Sequence, residues 1–289
     1  MASKHTAHDP RERLESESDY RRDAWHEGYA KRKKSKRIWT VVLVVALVAF
    51  VGSLAALGVI AFSYWQGQQT YQRVESVAGV QFGAQDIAST ETSEQTFDLA
   101  SVTVDWKALS EINPDIVAWI YVPGTPINYP VVQGSDDDYY LYHDFEGTQR
   151  AIAQSGCIFM KASNSPTFTD MGTFIFGHHL NDGSMFAAIA DESTFVDGRP
   201  IYLFTPQGNM QLSPFALIHC AGTESLIQTS FGSKGALTSY MAEKVSRSVV
   251  AFKHSRDPSA IDRFIALSTC DNQYTDGRYI LFCFIEQQT

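Results

Sequence analysis

A chain of 289 residues with 44% hydrophobic and 12% aromatic content can close a core of ordinary globular size, with room for one or two domains. Its net charge of −9 joins two unlike parts: residues 1–37 hold 11 Lys/Arg against 7 Asp/Glu, and residues 38–289 hold 12 against 25. The body is acidic, and the basic head is short and carries no nucleic-acid motif, which excludes nucleic-acid binding.

The head, polar and poor in aliphatics, reads as a disordered cytoplasmic tail over 1–37. Next comes "IWTVVLVVALVAFVGSLAALGVIAFSYW", from Ile38 to Trp65, without one Asp, Glu, Lys or Arg. At a rise of ~1.5 Å per residue, this run is long enough to cross a hydrocarbon core of ~30 Å. "KRKKSKR" (Lys31 to Arg37) stands directly before it, while Arg73 alone is near its far side. That asymmetry predicts a cytoplasmic N-terminus and an extracellular body. Trp39 at one end and Tyr64/Trp65 at the other suit the interfacial belts. A cleaved signal peptide fits less well, because the run exceeds an h-region and a long hydrophilic head precedes it. The expected organisation is a transmembrane signal anchor over 38–64, an extracellular stalk over 65–100 that starts as helix, and a folded domain over 101–289.

In the folded part, "DWKALSEINPDIV" predicts a short helix, capped by Asp105 and ended by Pro114. Eight windows follow: "VAWIYVPG", "PINYPVVQ", "GCIFMKA", "GTFIFGHH", "PIYLFTP", "MQLSPFALIHCAG", "RFIALSTC" and "RYILFCFIEQ". Each is short, rich in β-branched and aromatic residues, and bounded by Gly, Pro, Asn or Asp, as strands are. Two windows among them, "GSMFAAIADES" and "GALTSYMAEKVSRSVV", have helical spacing. Eight strands with few helices predict a mostly β domain, closed as an antiparallel or mixed barrel. No internal repeat, glycine-rich phosphate loop, CxxC or HExxH occurs, so neither a cofactor nor a catalytic metal is expected.

Four cysteines, Cys157, Cys220, Cys270 and Cys283, fall in the extracellular part. A disulfide can form there, but the spacing matches no framework and the connectivity stays open. Cys270 has the most telling setting. In "ALSTCDNQYTDGRYILF" (266–282) it ends one apolar run and Arg278 opens the next. Strands paired across loop 271–277 would set the thiol and the guanidinium side by side at the barrel rim. A nearby cation favours the nucleophilic thiolate, and the same guanidinium can donate to the oxyanion formed by attack on a carbonyl.

A general acid–base is offered by "TFIFGHHL": His178 follows Gly177 at the end of an apolar strand, and alternation turns His179 the other way. His143 and His254 lie in charged segments and read as solvated; His219, inside a strand, reads as structural. Taken singly, Cys270 has a plainer reading as packing, and Arg278 as an ion-pair partner of Asp271 or Asp276.

The order His, Leu-x-Thr-Cys, Arg behind an N-terminal anchor resembles the sortases, cysteine transpeptidases of Gram-positive cell envelopes. It is most similar to class B. "INPDIVAWIYVPGTPINYPVVQGSDDDYYLYHDF", "SGCIFM" and "FGHHLNDGSMFAAI" are like the class B domain, as are separations of 92 residues from His178 to Cys270 and 8 from Cys270 to Arg278. The likeness spans about residues 101–289, with Ala266 in place of the family's usual first threonine of Thr-Leu-x-Thr-Cys.

The resemblance implies a closed eight-stranded sortase-type barrel, with His178, Cys270 and Arg278 catalytic and no cofactor. It implies a single-pass protein of the cell membrane whose partners are secreted proteins with a C-terminal sorting signal. The acyl acceptor would be an amine of a peptidoglycan precursor or of a pilin. Some sortases bind calcium; Asp136, Asp137 and Asp138 are the weak candidate here, against a solvated loop. Two other readings are a membrane-anchored cysteine endopeptidase and a catalytically silent assembly module.

Overall fold

The computed structural model describes residues 10–80, 98–149, 156–253, 256–271 and 277–289. The chain divides into two compact units, Met1–Ala61 and Phe62–Thr289. In the first, helix α1 (Pro10–Ala78) turns apolar at Ile38, and Leu43, Val48, Phe50 and Leu57 stand exposed along it. Among the described residues it is the one helix long and apolar enough to cross a membrane.

The second unit begins within α1, and its helical turns are packed. Thr70, Tyr71, Val74 and Ala78 are buried, and Tyr71 donates its hydroxyl proton to the Gly156 carbonyl. Arg73 pairs with Glu146 at 2.7 Å, and Asn128 donates to Glu75 at 2.7 Å. The opening of the predicted stalk is therefore core-facing surface, because its apolar positions recur at helical spacing and find a partner in the barrel. Residues 81–97 of that stalk lie outside the described residues.

Helix α2 (Trp106–Ile112) forms where expected: the Asp105 carboxylate accepts from the Ala108 amide at 2.9 Å, and the helix stops just before Pro114. Then come β1 (Ile116–Tyr121), β2 (Asn128–Val132), the single-turn α3 (Tyr139–Tyr142), β3 (Ile158–Met160), β4 (Gly172–Gly177), β5 (Ile201–Thr205) and β6 (Gly208–Ala221). Helix α4 (Lys234–Arg247), β7 (Phe264–Asp271) and β8 (Gly277–Gln288) complete the chain. All eight predicted windows form strands, and they close in the order β1-β2-β3-β4-β7-β8-β6-β5. Pairing is mixed, with β2–β3 and β4–β7 parallel and the rest antiparallel.

β7 and β8 are buried on both faces. Ile265, Leu267, Tyr279, Leu281 and Cys283 join the barrel interior with Trp119 and Leu203. Phe264, Ala266, Ile280, Phe282 and Phe284 face a second core under α4, with Phe174, Leu237 and Met241. This is why both strands read as unbroken apolar runs rather than alternating ones.

Two local elements differ from expectation. The helical window 183–193 yields only a 3-10 turn, Ala187–Ala190, because Met185 takes a left-handed φ of 57° and interrupts the helix. The unanticipated α3 is held by Asp136, whose carboxylate accepts from the amides of Asp138 and Tyr139.

Packing of α1 is testable. Val74 is fully buried, so Val74→Ala should lower the unfolding free energy by about 1–2 kcal/mol, as deletion of buried methyl groups does. Urea denaturation of the second unit alone, Phe62–Thr289, would measure it; an unchanged midpoint would mean that the helix is a loose spacer.

Candidate active site

β4 and β7 run parallel, with Gly177 paired to Thr269 as their last matched residues. One residue further stand His178, just past the end of β4, and Cys270 in β7. Across the next pair Cys270 is opposite Arg278, and across the next Arg278 is opposite Cys220. Neighbouring strands thus contribute one cross-strand row, Cys270, Arg278 and Cys220, and His178 follows the last matched pair of β4 and β7. The three residues predicted as catalytic are brought to one barrel end.

His178 is closely fixed. Gly177 before it lets Ile158 and the Phe186 ring pack against the strand end, since a Cβ there would collide with both. The His178 carbonyl accepts from the Phe186 amide at 2.9 Å. Its ring Nε2 lies 2.6 Å from the Leu141 carbonyl oxygen. A carbonyl can only accept, so Nε2 carries the proton and Nδ1 is the nitrogen free to gain or lose one. Gly156, at φ 52°, is what allows this approach: a Cβ would stand 2.7 Å from the Leu141 oxygen, 2.8 Å from the Tyr140 oxygen and 3.0 Å from His178 Cδ2.

Arg278 is half-buried, and the side chain of Asp271, one of the ion-pair partners weighed for it, lies outside what the structure describes. Asp276, the other, lies outside the described residues. His178 and Arg278 line a cleft of about 220 Å³. Its lining also includes Leu141, Ile227, Phe159, Phe176 and Ser268. Ile227 belongs to the β6–α4 connection. That connection is tied down by the forked Arg247–Glu224 pair, at 2.6 and 3.0 Å, and by the Tyr240 hydroxyl on the Leu226 carbonyl.

The remaining candidates separate. His179 makes an isolated bridge with Met185 and lines a different depression, with Asp191 and Arg199. His143 stacks on Tyr139 at 4.0 Å, and His219 stacks on Tyr279 at 4.3 Å. His254 lies outside the described residues. Cys157, Cys220 and Cys283 are free thiols. Burial pushes Cys157 up to about 12 and raises Cys283 as well, while half-buried Cys220 is also raised by burial. Such thiols stay protonated and inert. Of the acidic triplet, Asp136 holds the turn into α3, and its carboxyl titrates below the usual range because the Tyr139 and Asp138 amides hydrogen-bond it. Asp137 pairs with Lys161 at 2.5 Å and accepts from the Ala162 amide at 2.7 Å. These two carboxylates hold the loop at the cleft rim.

No protein-family profile matches the chain. It is 30% identical to Sortase B of Listeria monocytogenes over 241 residues, 79% of this chain and 93% of that protein. Against Sortase B of Staphylococcus aureus it is 30% identical over 201 residues, 66% of this chain and 80% of that one. The chain belongs to the sortase family, class B. Solved sortase B structures share its barrel. That of Bacillus anthracis in complex with AAEK1 matches with a TM-score of 0.63 and 28% identity, over 78% of this chain and 99% of that one. The Staphylococcus aureus sortase B–substrate complex matches with a TM-score of 0.55 and 30% identity, over 63% and 84%. The enzyme is accordingly a sortase-type cysteine transpeptidase.

Sequence reasoning missed the groups that hold His178. The Leu141 oxygen is a backbone atom with no residue signature, and Gly156 is one glycine among 19. Their contribution can be measured. Gly156→Ala should lower kcat at least tenfold with the barrel still folded, since a methyl at positive φ is strained and would press on the His178 ring. Normal turnover in a folded Gly156→Ala protein would show that the ring does not need this contact.

Proposed function

We propose that this sortase is a single-pass protein of the cell membrane. Residues 38–64 would span the bilayer, 1–37 would form the cytoplasmic tail, 65–100 would lead outward, and 101–289 would form the extracellular catalytic domain. Its substrates would be secreted proteins with a C-terminal sorting signal, and the acyl acceptor an amine of a peptidoglycan precursor or a pilin. Substrate and lipid-linked acceptor are then held on the same membrane as the enzyme, which raises their effective concentration.

We assign the catalytic roles to His178, Cys270 and Arg278, and the strand register that brings them to one barrel end is the observation that carries the assignment. The Cys270 thiolate attacks the carbonyl carbon of the signal's scissile residue, forming the C–S bond. Arg278 donates to the resulting oxyanion from its planar fork. As the C–N bond breaks, the departing amine takes its proton from His178 Nδ1, and a thioester remains on Cys270. The acceptor amine then attacks the thioester carbonyl, its proton passes to His178 Nδ1, and the C–S bond breaks. Throughout, the Leu141 carbonyl keeps the Nε2 proton in place. No step calls for a cofactor.

Three variants and two rates test these roles. Cys270→Ala should abolish transfer, and His178→Ala should reduce it by roughly 10²–10⁴-fold, the span of general acid–base catalysis. Arg278→Lys should lose roughly 10²-fold or more in transfer, as when an oxyanion donor is removed. Alkylation of Cys270 by iodoacetamide should change far less in Arg278→Lys, because it develops no oxyanion. Parallel falls in the two rates would make Arg278 a tuner of the thiol instead, and full activity in Cys270→Ala would overturn the assignment. The substrate is identified by trapping the Cys270 thioester from a secreted-protein fraction and reading the bound peptide by mass spectrometry. Offering that peptide with and without an amine gives amide for a transpeptidase, acid for an endopeptidase, and neither for a silent module.

A further inference from the structure

We propose that Tyr71, near the end of α1, is a positioning residue for His178, so that proton transfer in the cleft depends on a helix outside the barrel. The inference rests on the reading of His178 as the proton carrier. Two separate lines of contact lead from Tyr71 to that histidine.

The first line runs to the ring. Tyr71 is buried, and its hydroxyl donates to the carbonyl of Gly156, 85 residues away in sequence. Gly156 occupies the gap between that hydrogen bond and the imidazole: a methyl on its α-carbon would meet the Leu141 oxygen, the Tyr140 oxygen and His178 Cδ2 within 3.0 Å. The Leu141 oxygen is the group that accepts from His178 Nε2. The adjoining Cys157 amide donates to the Tyr140 carbonyl at 2.9 Å, which joins this segment to α3. A displacement of Gly156 is therefore passed to both the ring and its hydrogen-bond partner.

The second line runs to the histidine's backbone. The Tyr71 ring packs edge-on against Tyr129, with centroids 5.2 Å apart. The Tyr129 hydroxyl accepts from the Met185 amide at 3.2 Å. Met185 sits at φ 57°, a conformation a non-glycine residue keeps only where its surroundings impose it. The next residue, Phe186, donates its amide proton to the His178 carbonyl. Ring and main chain of His178 both trace back to one tyrosine.

A plain packing role for Tyr71 predicts a different outcome, and Val74 supplies the comparison. It is buried on the same helix one turn on and forms no hydrogen bond to the site. The full chain is compared with its Tyr71→Phe, Val74→Ala and His178→Ala variants. Measured are kcat and KM on the peptide recovered from the Cys270 thioester, the pH profile of Cys270 alkylation by iodoacetamide, and Tm. Tyr71→Phe should lower kcat roughly tenfold with KM nearly unchanged, since small misplacements of a reacting group are costly. Its alkylation profile should move toward that of His178→Ala. Val74→Ala should lower Tm and leave kcat and the profile as in the parent. The proposal is overturned if Tyr71→Phe keeps the parent kcat and profile, or if Val74→Ala loses kcat to the same degree. Should His178→Ala itself retain kcat, the reading of His178 falls and this inference falls with it; an inactive His178→Ala beside a normal Tyr71→Phe removes this inference alone.

Discussion

The parallel pairing of β4 with β7 fixes which residues come together at the proposed site of this barrel. Parallel strands end on the same side, so the residues that follow β4 and those that finish β7 emerge together. The register from Gly172–Phe264 to Gly177–Thr269 then leaves no freedom in which residues meet. A slip of one position would turn Phe174 out of the core under α4 and move the histidine out of line. Burial on both faces of β7 penalises such a slip heavily, and the position of the reacting groups inherits that penalty. The cost is topological: β5, β6 and α4 must all be threaded between the two partners, and contacts this distant in sequence form slowly.

β8 adds the cation by the opposite geometry. It runs antiparallel to β7, so its first residues lie against the last residues of β7, and Arg278 meets Cys270. Burial argues against a reactive role for the other three cysteines. Cys157 and Cys283 are enclosed in the barrel interior, where ionisation would leave an unsolvated charge. Cys220 also neighbours Arg278, but it is raised by burial, with Glu224 adding to the rise. The two cysteines of the row pair with Arg278 from strands on either side of β8. The Cα atoms of two disulfide-linked cysteines lie within about 7 Å, whereas these two are separated by two strand spacings of ~4.8 Å each. A disulfide between them is therefore ruled out by the sheet itself.

Much of the barrel was legible in the sequence because a strand announces itself through residue type. Runs such as "RFIALSTC" and "RYILFCFIEQ" carry β-branched and aromatic side chains between turn residues, and both are strands. Asp105 and Pro114 bracket a helix for reasons each residue carries in its own chemistry. Strand order was not legible, since nothing in β4 says that β7 rather than β5 will pair with it. The helix expected over 183–193 failed for the same kind of reason: its composition suits a helix, but the close contact of the Met185 amide with the Tyr129 hydroxyl, 56 residues away, imposes another conformation. The support of His178 was hidden most completely. It is made of main-chain oxygens and a missing side chain, and any residue type supplies a carbonyl.

The cleft divides its labour between strand ends and connections. The row proposed to react lies at strand ends, where hydrogen-bonded neighbours limit movement. Its apolar walls, Leu141 and Ile227, come from the β2–β3 and β6–α4 connections, which vary freely in length and composition in most folds. A wall on a loose loop would have to be ordered by each arriving substrate, at a loss of binding free energy. Here the ordering is done beforehand. Asp136 holds the turn into α3, which carries Leu141, Asp137 ties the same loop to Lys161, and Arg247 and Tyr240 pin the residues just before Ile227. Ion pairs this exposed add little to global stability. Their effect is local: they order two connections that each give an apolar side chain to the cleft, so that its lining can change by loop substitution without disturbing the strand ends.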